Sequence, residues 1–334
     1  MKYKTYTNTA THSDLHWAHP VHTEFDLGYA YETDTHFVHF YGSSQTIWPI
    51  SPGMCVTQGK AGVFADWLVR NFSATSVVES LRDVGETVST VWRPGIEDYD
   101  DIRAGLRTTD FERHQALQTI RLLLERLDDI FVYMEPTLHS LQAHSHKTRE
   151  LLILAATEAE NSWARYLRTA TAAPANGNFY TTNDYVRLLQ PLFLAEYQLT
   201  LRSYPTVPPL RPFANWTAQQ PTQSLNWYHA YNQTKHDRDT HFDKATLKNA
   251  IDAVAANLVL FSVRFSPYPL WREGGPAASL YNELFTTITL VNPDPRTFYV
   301  PLITYPANPN LALRVFSAKE ARLIQPWNVQ PFTL

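Results

Sequence analysis

With Cys55 as its single cysteine, the chain of 334 residues can build neither an internal disulfide framework nor a multi-cysteine zinc site, and it suits a reducing compartment. Its 11 glycines fall into no Walker loop, no dinucleotide-binding fingerprint and no nucleophile elbow. No stretch approaches the roughly 18 uninterrupted apolar residues of a membrane span. Met1 to Asp14 is polar and lacks the apolar segment of a signal peptide, so the expected location is cytoplasmic. Charge of one sign is scarce as well. A net charge of -4 and a pI near 6.3 provide no global field for a polyanion, so any nucleic-acid contact must come from a local cationic cluster. What is plentiful is apolar surface: 44% hydrophobic against 18% charged residues excludes a disordered chain and allows a sizeable core.

Three compositional zones divide the chain at 1–108, 109–266 and 267–334. The first reads as short strands and loops, with β-formers at His36–Tyr41 and Thr87–Trp92 and proline and glycine between them. In the second the period changes. Thr109 and Glu112 form a capping box, and Leu117, Ile120, Leu124, Leu127 and Phe131 repeat at helical spacing. A second helix spans His146 to Thr169, and its apolar run Leu151–Ala156 predicts a central place in a bundle. A third runs from Asn183 to Leu199, kinked or split at Pro191. A proline-rich strap anchored by Phe213 and Trp216 follows, then a fourth helix from Ser224 and a fifth after Asp243. The third zone reads as strands at Leu284–Val291, Arg296–Thr304 and Leu311–Phe316, able to join the N-terminal strands in one sheet around the bundle. The expected fold is α+β, predominantly α: an antiparallel five-helix bundle core with β-rich N- and C-terminal flanks.

The fourth helix carries the most informative stretch, Trp227 to Arg238. Helical spacing puts His229, Asn232 and His236 on one face with Lys235 at its edge, while Trp227, Tyr228 and Tyr231 supply an apolar anchor. The second helix carries Glu158 and Arg165 two turns apart on one face, with Asn161 or Ser162 between them. Glu158 follows an apolar run; a half-buried carboxylate needs a partner, and Lys235, His236 or Arg238 are the candidates. Lys147, Arg149, Arg165 and Arg168 read as a solvated face of the same helix.

An acidic residue on an early helix followed by Tyr231-Asn232-x-x-Lys235-His236-x-Arg238 on a later one resembles HEPN-type helical domains, over about the middle half of the chain. The resemblance implies a helical domain that acts as a metal-independent endoribonuclease or binds RNA or nucleotides, often in toxin or phage-defence systems, and often as a homodimer with two motif helices facing. The family's usual motif is Arg, four to six residues, then His. Here Asn232 takes the first position relative to His236, and Arg238 stands three residues before His241. For a nuclease, His236 would be the general base on a ribose 2′-hydroxyl, because an imidazole titrates near neutral pH. Lys235 and Arg238 would stabilise the transition-state charge, Asn232 would orient phosphate or imidazole, and Glu158 would fix the tautomer. No cofactor or metal is required.

A different class of reading is a non-enzymatic scaffold whose polar cluster pins the proline-rich strap to the bundle. At the N-terminus His12, His16, His19, His22, His36 and His39 lie close together with Asp14, Glu24 and Asp26, donors of the kind that bind zinc, although no established metal-binding spacing is present. Cys55, beside Val56, reads as a buried and inert thiol.

Overall fold

The computed structural model describes residues 1–10, 25–44, 49–51, 54–304, 314–315 and 324–334. They fall into two compact units: Met1–Arg107 with Pro293–Gln330, and Thr108–Asn292 with Pro331–Leu334.

The first unit is a sheet domain. Strands β1 (Lys2–Thr7), β2 (Leu27–Glu32), β3 (His36–Gly42), β4 (Met54–Gly59) and β5 (Thr75–Asp83) build an antiparallel sheet in the order β5-β1-β2-β3-β4. A short β9 (Arg314–Val315) extends it beyond β4. Register runs Tyr29↔Phe40 and Val38↔Thr57, so alternate residues face opposite sides. Tyr3, Tyr29, Tyr31, Val38, Phe40 and Cys55 pack on one face against Phe298, Val300 and Ile303. Tyr6, Phe37, Tyr41 and Val56 pack on the other against Trp67, Leu68 and Phe72 of helix α1 (Phe64–Phe72). With both faces covered, the strands carry aromatics at successive positions instead of alternating with polar residues. A second helix, α2 (Tyr99–Leu106), is capped by Asp98, and β6 (Glu86–Val88) pairs in parallel with β10 (Asn328–Gln330).

The second unit is helical. α3 (Asp110–Tyr133) opens with the Thr109–Glu112 capping box, and α4 (His146–Thr169) with a box formed by Ser145 and Thr148. After a single turn, α5 (Thr182–Tyr185), the chain passes through 3-10 turns to β7 (Tyr197–Gln198), which pairs with β8 (Thr289–Leu290). Helix α6 (Asn226–His236) is followed by the one-turn α7 (Arg238–His241), α8 (Leu247–Phe265) and α9 (Pro276–Leu284). α8 packs against α3, α4 and α6, and every residue from Ala250 to Phe265 is buried. It is therefore α8, not α4, that the other helices enclose. No helix among the described residues is long and apolar enough to cross a membrane.

A helical-bundle core with β-rich flanks is not what forms. The N-terminal strands have a two-sided core of their own, so they constitute a separate sheet domain and not a flank of a bundle. Three local expectations also change. α1 and α2 occupy a zone read as strands and loops. The helix expected over Asn183–Leu199 lasts one turn, because Pro191 removes a backbone donor and Phe193 adopts a left-handed conformation at φ 54°. In the C-terminal zone, residues 295–297 form a 3-10 turn.

Candidate functional site

The aromatic half of α6 holds the helix in place. Trp227, Tyr228, Ala230, Tyr231 and Thr234 recur at three-and-four spacing and are buried against α4 and α8. Trp163 of α4 is the hub: its ring centroid lies 5.0 Å from Trp216, 5.4 Å from Tyr228 and 5.9 Å from Trp227. Trp227 Nε1 donates to the Pro212 carbonyl at 3.1 Å, which ties the proline-rich strap to the helix.

The acid that meets α6 is Glu160, not Glu158. Two positions apart on a helix means a rotation of about 200°, so the two carboxylates leave α4 on nearly opposite sides. Tyr228 donates its hydroxyl to Glu160, and the Tyr231 hydroxyl stands 3.5 Å from the other carboxylate oxygen. Burial, then the hydrogen bond to Glu160, holds the Tyr228 phenol well above its ordinary value. Lys235 Nζ donates to the Tyr231 hydroxyl at 2.7 Å, and this bond raises the Lys235 ammonium above the usual lysine range. Asn232 Nδ2 bonds back to the Tyr228 carbonyl at 3.2 Å, away from any shared task with His236. His229 is half-buried, and its Nδ1 has no partner among the described residues.

The single helix expected to carry both His236 and Arg238 is interrupted. α6 ends at His236; Asp237 adopts φ -139°, ψ 82° and its carboxylate accepts from the Thr240 amide at 3.2 Å, starting the next turn. Lys235, His236 and Arg238 are all exposed. Arg238 is redirected onto Phe242, with its guanidinium carbon 5.7 Å from the ring centroid. Two exposed histidines meet the same half-buried ring: His146 at 4.9 Å, tilted, and His144 at 5.4 Å, edge-on. The loop before α4 is fixed there by main-chain and hydroxyl bonds. Leu247 N donates to the Ala143 carbonyl at 2.8 Å, and Thr148 Oγ1 donates to the Ala245 carbonyl at 2.7 Å. Sequence reasoning missed His144, His146 and Phe242. The signal available was His-Ser-His around the helix cap, which brings two imidazoles to the first turn of α4.

Glu158 and Arg165 line a separate cleft between α3, α4 and α8, of about 600 Å³, with Glu112, Asn161, Asn257 and Arg264 also in its wall. Arg264 Nη2 donates to Glu112 Oε1 at 2.5 Å. Partial burial first, and then the charge of Arg264, lowers the Arg165 guanidinium from the ordinary arginine value.

In the sheet unit, His39 is fully buried between Phe72, stacked at 3.9 Å, and Tyr41, edge-on at 4.2 Å; its Nδ1 lies 2.5 Å from the Tyr6 hydroxyl. Burial holds this imidazole well below its ordinary value. It belongs to the core. His12, His16, His19 and His22, with Asp14 and Glu24, lie outside the described residues. Among the described residues no three or more His, Cys, Asp or Glu side chains converge where a metal ion would sit. No family model, no curated protein and no solved structure matches the chain.

Proposed function

We propose that the helical unit binds single-stranded RNA at the surface formed by the end of α6 and the loop preceding α4. The observation that carries this reading is the grouping of Arg238, His144 and His146 around the one ring of Phe242. Exposed planar rings and a planar guanidinium offer stacking surfaces to unpaired bases, which is the tolerant mode of single-strand recognition. Arg238 also offers a bidentate donor set to a phosphate. The resemblance of the Tyr231–Arg238 motif to HEPN-type domains points the same way.

Binding is favoured over cleavage by the arrangement around His236. Of the two residues assigned to orient its chemistry, Asn232 is bonded to its own helix and Glu158 lies on the far side of α4. Lys235 supports a structural reading for itself, since its ammonium completes the chain Glu160–Tyr228/Tyr231–Lys235 that fastens α6 to α4.

Fluorescence anisotropy with a labelled 12-nucleotide RNA tests the proposal. Wild-type protein is expected to bind, and Arg238→Ala combined with Phe242→Ala to weaken binding at least tenfold, while Lys235→Ala lowers the unfolding midpoint more than the affinity. The same incubations run on a denaturing gel report cleavage: fragments lost in His236→Ala would restore the nuclease reading. Absence of binding by wild type, or equal binding by the double variant, would refute the proposal.

A further inference from the structure

We infer that the cleft between α3, α4 and α8 is a binding site for a small ligand with one anionic head, a phosphate or a carboxylate, received by Arg165 and Arg264. This inference is independent of the RNA reading, and it rests on which polar groups in the cleft are already engaged.

Glu112 is the acid nearest the arginines, and its capacity is committed. One oxygen accepts from the Thr109 amide at 3.1 Å and hydroxyl at 3.0 Å; the other accepts from Arg264 at 2.5 Å. Arg264 is 8% exposed, and its Nε has no hydrogen-bond partner among the described residues. A buried guanidinium N–H left unmade is costly, so a small shift of the Arg264 side chain that let a ligand supply the acceptor would be rewarded. Arg165 lies exposed on the cleft rim, and its guanidinium has no hydrogen bond or ion pair among the described residues; the Arg264 charge acts against its own, and Glu112 only partly offsets this. Glu112 acts on both guanidinium charges, so the pair has one carboxylate for two cations, and an anion placed between them would balance the second.

The cleft's volume of about 600 Å³ suits a small molecule and not a polymer groove. Its other end limits the ligand further. Glu158 lines the same cleft from seven residues earlier on α4, about 10 Å away along the helix axis. It repels a second negative charge and offers an acceptor to a donor group. The ligand class is thus a molecule with an anionic head at the arginine end and a neutral or cationic body reaching toward Glu158.

Equilibrium dialysis of the full chain tests this with two probes, inorganic phosphate and acetate, at constant ionic strength set by potassium chloride. At least one probe is expected to bind saturably; which one does so separates a phosphate-bearing from a carboxylate-bearing ligand. Arg165→Gln should weaken that binding at least tenfold, and Glu158→Gln should strengthen it a few-fold. The Arg238→Ala, Phe242→Ala double variant should leave it unchanged, which separates this site from the RNA surface. Circular dichroism confirms that each variant is folded, and Glu158→Gln carries the test if Arg165→Gln is not. Failure of both probes to bind, or binding indifferent to both cleft substitutions, would overturn the inference.

Discussion

His39 has one hydrogen-bond partner, no solvent contact and a phenyl ring stacked on its face, so its added proton would have nowhere to be stabilised. Its folded-state value lies below the unfolded one of about 6.5. The unfolded chain therefore takes up a proton that the folded chain refuses. The associated stability is complete above about pH 6.5 and declines as pH falls, by up to about 1.4 kcal/mol per pH unit. Chemical denaturation between pH 7.5 and 5.5 should show this slope, and His39→Phe should reduce it. Asp101 behaves in the opposite sense. Burial, and then the neighbouring charge of Asp98, raises its carboxyl to about 6, so the folded state holds the proton more tightly and stability is lost as pH rises from about 4 through 6. Asp101→Asn should accordingly raise the unfolding midpoint at pH 7.5 and leave it nearly unchanged at pH 4, measured by calorimetry. Neither environment was readable from the sequence. His39 sits in a run of histidines that suggests metal chemistry, and only the register of β3 against α1 places it inside an aromatic box.

At the scale of elements, the legible parts are those whose ends are written in local chemistry. α3 and α4 start where a hydroxyl and a residue three positions on can bond reciprocally, and Thr109→Ala should cost about 1 kcal/mol in urea denaturation by removing one half of such a box. α6 was legible for its aromatic stripe but not for its end, since nothing in Lys235-His236-Asp237-Arg238 announces that Asp237 will bond to Thr240 and turn the chain. That turn carries Arg238 to Phe242 and leaves His236 behind. The choice between Glu158 and Glu160 was equally hidden, because both fit a helix and only the packing of α4 on α6 selects one. Glu160→Gln should lower the unfolding midpoint more than Glu158→Gln does, as thermal scans of the two variants would show, since it weakens a charge-assisted bond to Tyr228 that is partly removed from water.

Over the whole molecule, a chain of net charge -4 binds a polyanion only where local cations outweigh the general repulsion. The RNA surface proposed here contains few such cations, so the salt dependence should be shallow. With two to three phosphate contacts, log Kd against log salt should have a slope of about 2, far from that of a basic nucleic-acid-binding domain. That the first zone is a sheet unit with its own core, and not a flank of a bundle, escaped sequence reading for a physical reason. Sheets buried on both faces lose the polar alternation that marks a strand, so the first zone read as a flank when it had a core of its own. Return of residues 293–330 to that unit depends on contacts such as Tyr3 to the Phe298 carbonyl, 295 positions apart, which no local pattern encodes.

The most direct test is photo-crosslinking of a 4-thiouridine-substituted single-stranded RNA to the full chain, with the modified peptides mapped by mass spectrometry. We expect adducts concentrated in the segments that hold His144, His146 and Arg238–Phe242. Adducts confined to the sheet unit, or none above a bovine serum albumin control, would contradict the account.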